Sequence, residues 1–278
     1  MKESSSTERF IPLTTVESGI GKEVVHDIYS LTVQFANICF IGSPQTAEGW
    51  VLVDAGTPKS ADMIIKAATS RFGEAKPKAI ILTHGHFDHI GALIELLKVW
   101  DVPVYAHSLE LPYLTGKKDY PDPDPTVDGG ILAKISSMYP IEAIDLGDRV
   151  QALPGDGQIP YLPKWRWIHT PGHTEGHIAL FREDDRALIA GDAFITVKQE
   201  SLFNVMTQHL EIHGPPRYLT PDWQAAWESV RKLAQLKPSC AVTGHGVPVQ
   251  EEWLNENLPK LAKDFDTIAI PKTGKYVN

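Results

Sequence analysis

The sequence has little that points to a secreted, membrane-bound or nucleic-acid-binding protein. It contains two cysteines, Cys39 and Cys240, without CxxC spacing, so we expect no disulfide framework and a cytoplasmic location. No apolar run approaches the roughly 18–20 residues of a membrane span, and the polar N-terminus MKESSSTERF lacks the apolar segment of a signal peptide. The net charge is −9 without a basic cluster, which disfavours nucleic acid and anionic membranes as partners.

The first half of the chain alternates predicted strands and helices. The segments EVVHDIYSLTV, FANICFIG and WVLVDAG have the β-branched and aromatic content of successive strands. Thr57-Pro58 is predicted to cap and begin a helix that Gly73 ends. The runs KAIILTH and VPVYAH predict two further strands, with GALIELLKVW as a helix between them. This alternation indicates sheets covered by helices.

The second half resumes with strands at WRWIHT, HIALFRE, RALIAGDAF and CAVTGHG. Thr220-Pro221 repeats the cap signature before a helix whose apolar face includes Trp223 and Val230. Two segments, about 112–130 and 195–220, are too irregular for long elements and are interpreted as insertions. Since nothing reads as a linker, we predict a single domain over residues 1–278 with its core at about 22–250.

One short stretch, LTHGHFDHIG, concentrates four side chains that can bind a metal: His84, His86, Asp88 and His89. In a strand, His84 and His86 would point to the same side, and a turn into a helix would bring Asp88 and His89 near them. A catalytic zinc ion takes three protein ligands and keeps one position open. Because further candidate ligands follow in the chain, the cluster makes more sense divided between two metals.

Three later motifs offer further ligands at predicted strand ends or in the loops that follow. These are His173 in TPGHT, Asp192 in AGDAF and His245 in TGHG. His169 and His177 flank His173 at four-residue intervals, so spacing alone does not choose among the three histidines. The glycine of TPGHT favours a tight loop at His173, and His177 begins an apolar run typical of a structural residue.

THGHFDH resembles the HxHxDH signature of the metallo-β-lactamase superfamily, and VDAG, TPGHT, AGDA and TGHG occur in that superfamily's order. The resemblance implies an α/β fold, an αββα sandwich of two mixed β-sheets with helices on the outer faces. It also implies that Asp54 binds no metal itself and orients the loop that contains the metal ligands. By this resemblance, the first metal is bound by His84, His86 and His173. The second metal is bound by Asp88, His89 and His245, and Asp192 bridges the two metals.

The branch that the sequence resembles most is the N-acyl homoserine lactonase-like group, with glyoxalase II also similar. The predicted function is a binuclear metal-dependent hydrolase, in which a metal-bridging hydroxide attacks a lactone, ester or thioester carbonyl. Asp88 is the predicted catalytic proton carrier. We expect two Zn²⁺ per chain, although iron and manganese also suit these ligands.

Several alternatives stay open. Enzymes that destroy β-lactams typically have a cysteine where this chain has Asp192, which disfavours that activity. Glyoxalase II resembles the site ligand for ligand but adds a long helical region, whereas 33 residues follow His245 here. A mononuclear iron-dependent oxidoreductase of the persulfide dioxygenase type has a similar HxHxDH stretch. A metal-binding protein without catalysis is the weakest alternative.

The substrate is expected to be a small molecule, and a homodimer is left open. The predicted apolar pocket walls lie in or beside the second insertion and are Phe194, Phe203, Met206 and Tyr218. Lactonases of the similar group commonly have a tyrosine at the position of Phe194. The tyrosines that could replace it here are Tyr113, Tyr120 and Tyr218.

Overall fold

The computed structural model describes residues 14–46 and 48–277. The polar N-terminus, on which the expectation of no signal peptide rests, lies outside these residues. Within them, none of the helices has the length and apolar character needed to cross a bilayer. The chain groups into two compact units. Unit 1 comprises the residues up to Tyr120 and Pro140–Pro163, and unit 2 comprises Pro121–Tyr139 and the residues from Lys164 onward. The single domain stays a prediction.

Unit 1 is built on a mixed sheet of seven strands that follow one another in chain order. The first four strands pair antiparallel, and the fourth to seventh pair parallel. The strands are β1 (Gly21–Val25), β2 (Ile28–Val33), β3 (Ala36–Ile41), β4 (Val51–Val53), β5 (Ile80–Ile81), β6 (Val104–Ala106) and β7 (Val150–Ala152).

Helices connect the parallel strands of unit 1, as parallel pairing requires a crossover. Helix α1 (Ala61–Phe72) joins β4 to β5, while α2 (Phe87–Ile90) and α3 (Leu93–Trp100) join β5 to β6. A short helix, α4 (Leu111–Leu114), follows β6. The carboxyl ends of β4, β5 and β6 therefore meet at one edge of the sheet, and the loops that leave this edge contain Asp54, the histidine cluster and Tyr120.

Two local predictions in unit 1 are wrong. EVVHDIYSLTV is not one strand, because the chain turns at His26-Asp27 and β1 pairs antiparallel with β2. Helix α1 begins at Ala61, with Ser60 at the N-cap, and not at Thr57-Pro58. Lys59 has a positive φ of 65° and the Ser60 hydroxyl donates to the Thr57 carbonyl oxygen at 2.6 Å, so this segment forms a turn before the helix.

Unit 2 is built on a mixed five-stranded sheet in the order β12-β11-β10-β9-β8, in which β10 and β11 pair parallel and the other neighbours pair antiparallel. Its strands are β8 (Trp165–His169), β9 (Ile178–Arg182), β10 (Ala187–Gly191), β11 (Cys240–Thr243) and β12 (Val249–Gln250). Its helices are α5 (Ile131–Lys134), α6 (Leu202–Thr207), α7 (Trp223–Gln235), α8 (Glu251–Lys263) and α9 (Phe265–Ile268).

Helix α7 has the predicted apolar face, with Trp223, Val230 and Leu233 buried in the hydrophobic core of unit 2. Its predicted start is wrong, however. The N-cap is Asp222, whose carboxylate accepts a hydrogen bond from the Ala225 backbone N–H at 2.9 Å. The Thr220 hydroxyl, predicted to be the cap, contacts His173 and the Pro216 carbonyl oxygen instead.

Candidate metal centre

The histidine cluster of unit 1 lies where the chain leaves β5 and enters α2. His84 lies in the irregular segment after the strand, and His86 is the N-cap of α2 with extended backbone angles. The helix then brings Asp88 and His89 to the same place. All four side chains are buried, each at most 5% exposed. Ligand atoms lie within 4.8 Å of each other in the pairs His84–His86, His84–His89 and Asp88–His89.

The Asp54 carboxylate supports this cluster through hydrogen bonds. The residue follows β4 with a positive φ of 62°, which turns its buried carboxylate toward the neighbouring loop. Asp54 Oδ1 accepts from the Thr83 backbone N–H at 2.8 Å, and Oδ2 accepts from the Thr83 hydroxyl at 2.8 Å. His89 Nδ1 lies 2.9 Å from the same Oδ2. The expected contact of Asp54 with the loop that contains the histidine cluster is therefore present within unit 1.

These contacts determine which ring nitrogen of each histidine is left to bind a metal. Since Asp54 only accepts hydrogen bonds, His89 must donate from Nδ1–H. The Thr83 hydroxyl donates to Asp54, so at 3.1 Å from His84 Nδ1 it can only accept from that ring. Both rings are thereby assigned the tautomer with an unprotonated Nε2. This is the form in which imidazole binds a metal ion while its other nitrogen is held by a neighbour.

A second buried carboxylate supports the loop from another direction. Glu110, fully buried on the short turn after β6, accepts from the Gly85 backbone N–H at 3.0 Å. The Tyr120 hydroxyl donates to the same carboxylate oxygen. The Tyr120 ring stacks on Tyr113 with centroids 4.0 Å apart and lies 4.5 Å from the His86 ring. Glu110 and Tyr120 thus fix the backbone and ring environment of His86.

Burial raises the pKa of Tyr120 well above its usual range, and the neighbouring Glu110 carboxylate raises it further. The hydroxyl therefore remains protonated and acts as a donor to Glu110. Sequence reasoning named Tyr120 only as a substitute for the lactonase tyrosine, and it missed Glu110 and Thr83. A glutamate 25 residues from its partner Gly85 offers no local signal, whereas Thr83 lies next to His84 in the motif and its hydroxyl is a local signal.

Unit 2 brings together the other three predicted ligands. His173 lies in the loop after β8, Asp192 follows β10, and His245 lies beyond β11, and each is at most 2% exposed. Asp192 Oδ2 is 3.4 Å from His173 Nε2 and 3.2 Å from His245 Nε2. One carboxylate oxygen is therefore adjacent to the ligand nitrogens of both histidines.

The loop of His173 is held by unusually close packing. Gly172 has a φ of 132°, and a Cβ at this position would lie 2.3 Å from the Ala226 backbone nitrogen, so only glycine fits. His173 Nδ1 is 3.1 Å from the Thr220 hydroxyl, which donates to the Pro216 carbonyl oxygen at 2.8 Å. Thr220 must then accept from His173 Nδ1–H, and Nε2 is left toward Asp192.

The other two histidines of this region have different partners. His177 Nε2 accepts from the Asp192 backbone N–H at 2.9 Å, and its Nδ1 is 2.8 Å from the Thr170 hydroxyl. His177 therefore positions Asp192 rather than presenting a nitrogen to a metal. His169 is half-buried, and its Nε2 lies 2.8 Å from the Glu175 carbonyl oxygen. Of the three histidines, His173 has the contacts of a ligand.

Both groups of side chains fit a divalent metal in donor chemistry. Imidazole Nε2 and carboxylate oxygen are ligands of zinc, iron and manganese. Two atoms that each lie about 2.0–2.1 Å from one tetrahedral zinc ion are about 3.3–3.4 Å apart. The separations of 3.2 and 3.4 Å between Asp192 Oδ2 and the two histidine nitrogens are close to this value.

The predicted substrate residues have contrasting environments within unit 2. Phe194 is completely buried in the hydrophobic core, and Tyr218 is 4% exposed. Phe203 and Met206 lie on α6 and are 70% and 45% exposed. A substrate contact for any of the four stays a prediction.

The model of the metallo-β-lactamase superfamily matches residues 31–245 of this sequence. The chain belongs to this superfamily. Probable metallo-hydrolase YflN of Bacillus subtilis (strain 168) is 52% identical over 263 residues, which cover 94% of this chain and all of the relative. Together with the His and Asp clusters, membership implies a divalent metal ion. It also makes this chain a member of a family of metallo-hydrolases.

Solved structures of the superfamily are similar to the chain over most of its length. The crystal structure of TTHA1623 in a di-iron-bound form is 27% identical, with a TM-score of 0.56 and coverage of 84% of this chain and 98% of that one. BJP-1, a subclass B3 metallo-β-lactamase of Bradyrhizobium japonicum, is 19% identical, with a TM-score of 0.60 and coverage of 92% and 94%. The predicted fold class, two mixed β-sheets with helices in the metallo-β-lactamase fold, is confirmed.

Proposed function

We propose that the chain is a binuclear metal-dependent hydrolase that cleaves a lactone, ester or thioester. The observation that supports this most directly is the position of Asp192 beside two histidine nitrogens. In the ligand assignment proposed from the superfamily motif, His173 and His245 bind different metals. A carboxylate next to both is suited to bridge them, which a mononuclear centre would not need.

The four ligands of unit 1 complete the proposed centre. His84 and His86 join His173 at the first metal, and Asp88 and His89 join His245 at the second. The hydrogen bonds that Asp54 and Thr83 make to His89 and His84 support this assignment, because they leave an unprotonated Nε2 on each ring.

Two divalent cations, when bound, polarise a carbonyl oxygen and lower the pKa of water toward neutrality. Asp88 is the proposed proton carrier, since a carboxylate at this position can accept the proton of the attacking water and deliver it to the leaving oxygen or sulfur. The buried surroundings of Asp88, which is 5% exposed, keep bulk water from competing for that proton. No serine or cysteine nucleophile is required.

Zinc is the proposed metal, with iron as the principal competitor. The ligand set of histidine nitrogens and carboxylate oxygens suits both metals, and TTHA1623 was crystallised in a di-iron-bound form. We further propose a small-molecule substrate, no nucleic-acid or membrane partner, and a cytoplasmic location.

Elemental analysis combined with a substrate panel tests the proposal. Purified protein is expected to contain about two zinc ions per chain and to hydrolyse at least one of a lactone, a p-nitrophenyl ester and a thioester faster than a cephalosporin. Asp192→Ala should lower the metal content below that of Asp184→Ala, a control that removes an exposed carboxylate from the same unit. If the protein contains one iron per chain and consumes oxygen when a persulfide is added, the hydrolase proposal is wrong and the oxidoreductase alternative is supported.

A further inference from the structure

Unit 1 contains a cavity of about 110 Å³ beside the metal-binding loop. Its walls come from the segments that follow the carboxyl ends of β4 and β5, from α3, and from residues 120 and 140–144. The larger apolar side chains that line it are Phe87, Ile90, Ile94, Tyr120, Ile141 and Ile144. The segments that follow β4 and β5 leave the edge of the sheet at which the histidine cluster lies.

The cavity is adjacent to the candidate metal ligands along the chain. Gly85, which lies between His84 and His86, forms part of the wall, and so does Phe87, which lies between His86 and Asp88. Tyr120, another wall residue, has its ring 4.5 Å from the His86 ring, so the cavity is close in space to a candidate ligand as well.

The chemistry of the lining selects a neutral, apolar group. The hydroxyl of Tyr120 is held by Glu110, so the residue contributes its ring to the wall rather than a polar contact. The charged lining residues are Lys59 and Glu142, which are exposed, and Glu95, which is half-buried. Their sum is one negative charge, which disfavours a carboxylate or phosphate inside the cavity.

The volume limits the group that can enter. An engineered apolar cavity of about 150 Å³ accommodates benzene. A cavity of about 110 Å³ is smaller, and by the same comparison it holds about four to five carbon atoms. We propose that this cavity binds the acyl group of the substrate, and that this group is short and branched or a small ring. The inference rests on the hydrolase function proposed above and names its substrate class.

Acyl length therefore determines the expected kinetics. Each buried carbon should improve binding roughly fourfold, so replacing acetyl by isovaleryl, which has three more carbons, should lower KM about 60-fold. The effect should appear mainly in KM, because an apolar contact with the acyl chain does not change between the ground and transition states. An octanoyl chain should give no further gain, since its remaining methylenes cannot enter.

The test uses the metal-loaded protein and two matched series of probes. Acetyl, isovaleryl and octanoyl esters of one leaving group measure KM and kcat, while acetamide, isovaleramide and octanamide measure binding by the shift in melting temperature. Ile141→Trp should fill the cavity and abolish the preference for isovaleryl, and Ile141→Ala should reduce it. Val99→Trp is the matched control, since Val99 is 58% exposed on α3 and does not line the cavity.

Each outcome separates this inference from the proposed function. Hydrolysis of all three esters with similar KM values, or a preference that survives Ile141→Trp in a folded protein, would overturn the cavity assignment. If the protein hydrolyses no ester but still binds isovaleramide selectively and in an Ile141-dependent way, the hydrolase proposal fails while the selectivity of the cavity is established.

Discussion

Changing Asp54 to Asn is expected to weaken metal binding in unit 1 without removing any ligand. The Asp54 carboxylate accepts three hydrogen bonds, from the Thr83 N–H, the Thr83 hydroxyl and His89 Nδ1–H. An asparagine can keep its oxygen toward the backbone N–H. Its amide nitrogen then faces two groups that both need an acceptor.

The consequence is an altered tautomer at one ligand. To avoid a donor facing a donor, His89 would have to move its proton from Nδ1 to Nε2, the nitrogen that should bind the metal. The loss of a carboxylate partner of a metal-binding histidine typically lowers metal affinity about 10- to 100-fold, which corresponds to about 1.4–2.7 kcal/mol. We expect Asp54→Asn to fall in the upper half of this range, because Thr83 loses its acceptor as well and reorients beside His84.

Zinc competition with a chromophoric chelator measures the affinity, and thermal unfolding with and without zinc reports the same difference as a smaller metal-induced rise in Tm. Asp62→Asn is the matched control, since it removes an exposed carboxylate from α1 in the same unit. An Asp54→Asn protein with the metal affinity of the Asp62→Asn control would refute the tautomer argument, whatever its activity.

Three other changes have defined outcomes. Asp88→Asn should lower kcat by about 10²-fold or more through the loss of proton transfer, and near-normal turnover with full metal content would contradict its role. Tyr120→Phe and Glu110→Gln should each lower metal affinity about tenfold by loosening the His86 loop, as measured by the same chelator titration. Burial lowers the pKa of His213 from its ordinary value of 6.5, with Glu200 opposing the shift, so the unfolded chain binds more protons below about pH 6.5. Native stability should therefore fall with pH below that point, and denaturant titrations should show a shallower fall in His213→Asn.

The candidate ligands could be predicted from the sequence because their signal is local. His84, His86, Asp88 and His89 fall within six residues, and that spacing needs only a strand end and one helical turn to bring ligand atoms together. The paired strands were likewise predictable from short apolar runs. What fails is the exact start of an element, since a Thr-Pro pair fits a helix cap and also fits a turn such as the one at Lys59.

Thr220 shows why the supporting contacts could not be predicted. Its position just before a proline and the start of α7 is typical of a helix cap. In the structure, however, its hydroxyl donates to the Pro216 carbonyl oxygen and accepts from His173, a residue 47 positions away. Asp222 is then left to cap α7. Such a contact depends on how β8 and the segment before α7 pack within unit 2, and the local sequence does not contain that information.

The same reasoning explains why substrate residues are harder to predict than metal ligands. A metal ligand must be one of a few residue types, so a cluster of them is informative by itself. An apolar side chain, by contrast, serves equally well in a core or in a pocket wall. Phe194, a predicted pocket wall, is fully buried in the core of unit 2, and its substrate contact stays a prediction. The cavity of unit 1 is lined by isoleucines between positions 90 and 144, and nothing in their sequence context distinguishes them from core residues. Selectivity in this superfamily member therefore has to be inferred from cavity shape and lining charge, to which the acyl-length series responds directly.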